Sequence, residues 1–470
     1  MAHLVYPTID LFLYDLRDAL GQSTAKVEEN RQSFFQKLPT NIHYSIQEKD
    51  EEFQVELEAE FIELLGEEQI TPLDLKSQNY EGYYYPVRLS DTYGLVVDCS
   101  VADKTSSYPT SSIKALRNLI FQSINYQGAN LGETWLVSGI MPKITSHDNS
   151  EIIARECYQN LIPNANWQKN LQGKGHIFGG DIFELRQYNF RNLEVPVTIE
   201  DRIEDKHHVI IIIYPDENAA EKSGELINDW LRLFCYRSKI LWAYHESRQI
   251  KTYLKKDFID IQDYVFLLRK KEAEKITLKQ LHKNLDKAEN LFSQYTIDLN
   301  YLDYQSNTIE VNLYNYSQRL KTILENSTAK GIQSDLEFLN KFSQQAQEKY
   351  LRQLQKDYHN LSKGLEMLHI AVNFIRAEVE VDRAQSAQNF QNTVAIIGVG
   401  LTAGSMVVSL EKLGEGNTDP LSIALNKYLE NPTPKPWWFD PAIPFIYGIG
   451  VAIAAALLTW LTIRFWASKK

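Results

Sequence analysis

The residues of this chain whose types and spacing could do chemistry lie near its carboxyl end. Asn392–Gly414 reads NTVAIIGVGLTAGSMVVSLEKLG and spaces Gly398, Gly400 and Gly404 as G-x-G-x-x-x-G. Glycines that follow an apolar run can form the turn on which backbone amides cradle a dinucleotide pyrophosphate. That chemistry requires a second strand ending near an acid that holds the ribose, and here EGNTDPLSIALNKYLENPTPKPWWFDP follows, without an apolar β-branched run. Ile443–Ile463 then runs 21 residues without a charge, and Thr393–Leu410 runs 18. Stretches of that length and character are expected to span a membrane. On this reading Gly400/Gly404 and Gly448/Ala452/Ala456 are helix-packing residues with small-xxx-small spacing.

A stripe with a period near 3.5 connects the first expected span to the residues before it. It runs through Met367, Ile370, Phe374, Ala377, Val381, Ala384, Gln388, Gln391, Ala395, Gly398, Thr402, Ser405 and Ser409. It is apolar before the span and small or polar within it. Such a face avoids water outside a bilayer and lipid inside it. Two readings stay open: Gln391, Ala395, Gly398, Thr402, Ser405 and Ser409 line a pore, or they pack helices tightly. Glu411 closes the span as an acidic ring in an oligomer or as a solvated helix end. Elsewhere, His207 and His208 lack a further histidine at ligand spacing, so a strand-edge role is expected. Asp181, after Gly179–Gly180, is expected in a turn. No nucleophile elbow, phosphate loop or zinc-protease motif occurs, so no enzymatic activity is expected.

The elements that would position these residues follow from composition and periodicity. The 470 residues carry a net charge of −12. From Thr393 onward there are 6 Lys/Arg and 5 Asp/Glu, so residues 1–392 hold −13, which argues against a nucleic-acid partner. Cys99, Cys157 and Cys235 are widely separated, which fits neither a zinc site nor a disulfide framework and suits a reducing compartment. The amino terminus lacks the basic-then-apolar pattern of a signal peptide. Basic residues outside the spans, with Arg464, Lys469 and Lys470 in the tail, predict both termini in the cytoplasm of a chain held in an inner or plasma membrane.

Residues 9–37 read as an amphipathic helix. YYYPVRL, YGLVVDCS and TWLVSGIM read as strands, TSSIKALRNLIFQSI as a helix with Ser/Thr caps, SEIIARECYQNLI as a helix, and GHIFGGDIFELRQY as strands about Gly179–Gly180. HHVIIIIYP has the continuous apolar character of a central strand covered on both faces. The expectation is a cytoplasmic α/β domain over 1–215 and a helical stalk over 216–392, with breaks near Asp303–Asn307 and Asn326–Gly331. Spans follow over 393–410 and 443–463, separated by an extracytoplasmic loop over 411–442 and followed by a basic tail over 464–470. Leu354, Tyr358, Leu361, Leu365, Leu368, Val372, Ile375 and Val379 form a 4-3-4-3 stripe. A continuous helix from Ile332 to Leu410 would be roughly 120 Å long.

This layout resembles the CorA-like family of divalent-cation transporters: a cytoplasmic α/β domain, a helical stalk continuous with the first membrane helix, and two membrane helices before a short basic tail. The family's Gly-Met-Asn signature is absent; Gly404-Ser405-Met406 stands in its place, and the loop between the spans is longer than the family's. The resemblance implies a homo-oligomer, as a pentameric funnel in a lipid bilayer, that conducts or senses cations. It implies no bound cofactor other than Mg2+ or another divalent cation as transported or regulatory ion. The alternative is a membrane-anchored sensor or effector whose α/β domain binds a signal and whose two-helix hairpin anchors or permeabilises the membrane.

Overall fold

A computed structural model describes residues 2–52, 61–66, 70–75, 77–143, 149–190, 203–271, 278–329 and 334–383. The chain divides into two units. The first comprises Met1–Tyr253 and Leu299–Asn360, the second Leu254–Asp298 and Leu361–Lys470.

The first unit is built on a ten-stranded sheet. Its strands are β1 (His3–Leu16), β2 (Ile62–Glu63), β3 (Thr71–Pro72), β4 (Tyr80–Leu89), β5 (Thr92–Val101), β6 (Ser107–Pro109), β7 (Gly132–Ile140), β8 (Leu171–Ile177), β9 (Gly180–Phe190) and β10 (Ile203–Tyr214). The order is β2-β4-β5-β1-β7-β10-β9-β8, with β3 also on β4 and β6 on β1. β7 and β10 run parallel, and the other pairs are antiparallel. β1, β5 and β10 are buried on both faces along most of their length, which explains their nearly unbroken apolar character.

Helices cover both faces. Against one face pack α1 (Thr24–Phe35), α2 (His43–Glu52), α3 (Ser112–Ser123), α4 (Ser150–Leu161) and α5 (Trp167–Asn170), through Phe34, Ile46, Ile120, Cys157 and Trp167. The other face receives α6 (Glu217–Gly224), α7 (Ile227–Lys271), α8 (Leu278–Ala329) and α9 (Glu337–Gln345), through Ala219, Phe234, Ile309 and Phe342. A π-helical turn, Ala346–Leu351, joins α9 to α10 (Arg352–Arg383). Phe12 of β1 meets Phe234 of α7 edge-to-face with centroids 5.2 Å apart, and Tyr14 donates to the Leu231 carbonyl at 2.7 Å.

The second unit contains the remaining parts of α7, α8 and α10. Ala288, Ala371, Val372 and Ile375 form its core, and Tyr295 donates to the Leu361 carbonyl at 2.6 Å.

The structure corrects the expected fold class. Among the described residues no helix is long and apolar enough to cross a membrane. The helical region is not a separate stalk below an α/β domain. The stripe Ile309, Leu313, Tyr316, Leu320 and Ile323 is buried in the core over the sheet. The two expected spans, 393–410 and 443–463, lie outside the described residues, as do the loop and tail. The expected helix over 9–37 is also overturned: His3–Leu16 is a central strand and only Thr24–Phe35 is helical. The break expected near Asp303–Asn307 does not occur, because α8 runs unbroken to Ala329. The helix expected from Ile332 begins instead at Glu337 and passes through the π turn.

Candidate functional site

The register of the sheet assembles one row of side chains on the face beneath α6 and α7. Tyr83 pairs with Asp98, Asp98 with Asp10, Asp10 with Leu136, Leu136 with Ile210, and Ile210 with Glu184. Acidic residues occupy both parts of this row, and their environments differ.

Asp10 and Asp98 stand directly opposite one another on β1 and β5 and are 5% and 8% exposed. Directly opposed residues bring their side chains close enough to touch. Burial pushes the Asp10 carboxyl up to about 7, against the hydrogen bond it accepts from Asp98. Burial pushes Asp98 well above the usual carboxylate range, reinforced by the Asp10 charge, the bond it donates to Asp10, and Glu81. Two carboxyls in contact in a desolvated site cannot both ionise cheaply, so they hold a proton between them. The surrounding groups are phenolic or acidic. Tyr83 is displaced upward by burial and then by both aspartates. Tyr214, upward by burial and by Asp10, donates to Ser223 of α6 at 2.6 Å. Tyr6 donates to Glu81 at 3.0 Å, and Ser100 lies 3.5 Å from both.

Tyr6 has φ +48°, in the left-handed region, and precedes Pro7, next to a register shift between Val5 and Thr8. An aromatic residue is rare there, and such strain clusters at functional positions. The Lys104 ammonium lies 5.1 Å from the Tyr6 ring centroid. Through the pairing of Val5 with Ile140, Tyr6 sits near the carboxyl end of β7, whereas Asp10 faces the middle of that strand.

At the other side of the row, Glu184 is enclosed by opposite charge. Arg186 Nε donates to it at 2.8 Å, and His208 Nε2 lies 3.2 Å away. His208 Nδ1 is 2.9 Å from Thr134 Oγ1, so a neutral imidazole accepts there and donates to Glu184. The guanidinium groups of Arg186 and Arg237 lie 5.1 Å and 5.2 Å from the centroid of the Phe342 ring. Burial would raise Glu184, but Arg186, the His208 bond and Arg237 outweigh it and hold the carboxyl at about 2. Burial and then Arg237 lower His208 to about 4. Another buried acid, Asp50, is likewise met by cations: Arg17 at 3.4 Å, Arg31 at 3.4 Å and Arg88 at 3.3 Å, while Tyr93 donates to it at 2.8 Å.

Asp181, expected in a turn, lies on β9 and bonds Ser150 and His176, the latter at 2.7 Å. The acid stands between serine and histidine, so the imidazole does not face the hydroxyl as nucleophile activation by a triad requires. His208, expected at a strand edge, is instead wholly buried in the Glu184 network. Among the described residues no set of three or more His, Cys, Asp or Glu side chains is placed to hold a metal ion. The expected pore-lining residues Gln391, Ala395, Gly398, Thr402, Ser405, Ser409 and Glu411 lie outside the described residues. So do the packing residues Gly400, Gly404, Gly448, Ala452 and Ala456. No local motif announced Asp10 and Asp98, which are brought together only by strand pairing. The chain matches no protein-family model, and neither a curated protein nor a solved structure matches it.

Proposed function

We propose that the chain is a non-enzymatic sensor and transmitter, in which the α/β unit receives a signal and its long helices carry the response to the helical unit. One observation supports this reading above the others. The helices α7, α8 and α10 each belong to both units, with divisions at Tyr253/Leu254, Asp298/Leu299 and Asn360/Leu361. In the first unit α7 seats Trp230, Leu231 and Phe234 on the sheet face that bears the Asp10–Asp98 pair. Hydrogen bonds along a helix resist bending, so a change at that seat has a continuous element along which to travel.

Phe12→Ala tests the reading by removing the ring that meets Phe234, a truncation that typically costs about 3–5 kcal/mol. Amide hydrogen exchange then reads both units. Faster exchange is expected in α7 beside Phe234 and also in Leu254–Ile261 and Leu361–Ala377 of the second unit. Loosening confined to the first unit would sink the transmitter role.

A further inference from the structure

We propose that the signal is the proton and that the facing carboxyls of Asp10 and Asp98 are its receptor, the ionised pair loosening the β1–β5 seam beneath the helices. This inference rests on the sensor reading for its consequence, though not for the titration itself.

The geometry carries it. The two residues are directly opposed on strands near the middle of the sheet, with β4 and β7 as their outer neighbours. Their other row neighbours are Tyr83 on the β4 side and Leu136 on the β7 side. The groups that face them are Glu81 and Tyr83 from β4, Tyr6 from β1, Tyr214 from β10, and Ser223 of α6 through its bond to Tyr214. Lys104 reaches the rim over the Tyr6 ring. The acids and phenols among these groups disfavour a second negative charge.

Asp98 donates to Asp10, so the pair loses its first proton from Asp10, near neutral pH, and retains the other on Asp98. The event is a simple acid dissociation, with the proton released to water and the electron pair left on the Asp10 carboxylate. The sign follows: both carboxyls bind protons more tightly folded than unfolded. Their stabilisation is full below about pH 4 and declines as pH rises through about 7 and beyond.

Infrared difference spectra of the full chain between pH 5 and 9 test this through the carbonyl stretch of protonated carboxyls. The expected result is loss of about one carboxyl's absorption with a midpoint near neutral pH. Asp10→Asn should abolish that loss. Asp98→Asn, whose amide still donates to Asp10, should retain it, and Glu81→Gln should change it little. Exchange at Leu11 and Val97, corrected for intrinsic rates, should accelerate as the band disappears. No titrating carboxyl in this range in the unmodified chain overturns the inference, as does its survival in a folded Asp10→Asn protein. If the band titrates and Leu11 and Val97 respond while Leu254–Ile261 does not, the proton site stands and the transmitter role falls. If the band is absent, Phe12→Ala still tests transmission independently.

Discussion

The Asp10–Asp98 pair and the Glu184 network lie on the same face of the same sheet, separated along one row by Leu136 and Ile210. Both are almost fully shielded from water. Burying an ionised carboxylate is costly unless it is paired or becomes neutral. Glu184 is paired, with Arg186 and His208 against it and Arg237 nearby, and so stays ionised. Asp10 and Asp98 have each other, and so keep protons. One site is locked by opposite charge, while the other has been left able to change.

The largest expected effect breaks the locked site. Arg186→Met removes the principal cation and leaves Glu184 buried with less compensation, which should cost about 3–5 kcal/mol in urea unfolding at pH 7. Asp98→Asn, which keeps a donor for Asp10, should cost under about 1.5 kcal/mol. Equal losses would mean that the two sites are not energetically distinct.

A smaller effect appears in the pH dependence. His208 is lowered on folding from 6.5 to about 4, so its contribution is present above pH 6.5 and lost as pH falls towards 4. The aspartate pair has the opposite slope over the same window. The two raised carboxyls outweigh the single imidazole, so the unmodified protein should lose stability as pH rises from about 5 to 6.5. Asp10→Asn should flatten that fall and His208→Gln should steepen it. Thermal unfolding across that range checks both, and matching slopes in the two variants would remove the distinction.

The smallest effect concerns thiol access. Burial raises the Cys99 and Cys157 thiols to about 12, so both should react slowly in the folded chain. Cys99 neighbours Asp98 on β5, whereas Cys157 lies on α4. The ratio of labelling rates, Cys99 over Cys157, cancels the common gain in thiolate. It should increase between pH 6 and 8, and a constant ratio would show that the seam stays closed.

Much of the sheet was legible in the sequence because local pattern and tertiary demand agreed. HHVIIIIYP fits a strand covered on both faces, and Phe178–Gly179, with φ +49° and +78°, fits the expected hairpin turn. β1 was misread because Ile9, Leu11, Phe12, Leu13 and Leu16 satisfy helical spacing as well as a two-sided strand, and Asp10 and Asp15 then look like a solvated face. The acids are in fact buried, Asp15 against Lys37 at 2.6 Å and Asp10 against Asp98. The stripe through Leu361, Leu368, Val372 and Ile375 was also real, and these residues are buried within the chain. Neither partner of an 88-residue-distant strand pairing can be inferred from its own neighbourhood.

The β8 end of the sheet carries a consequence for the protein in a crowded solution. His176 and Asp335 exchange backbone hydrogen bonds of 2.9 and 2.8 Å, so the segment leading into α9 occupies part of the outer edge of β8. Gly173 and Gly175 permit this closeness: a Cβ on the first would meet Phe338 at 2.3 Å and on the second the Asp335 carbonyl at 2.1 Å. An open edge with unpaired amides is a template for another chain. The short segment before α9 therefore doubles as a guard against edge-to-edge aggregation. A side chain at Gly175 would prise it away and leave the β8 edge free to nucleate aggregates.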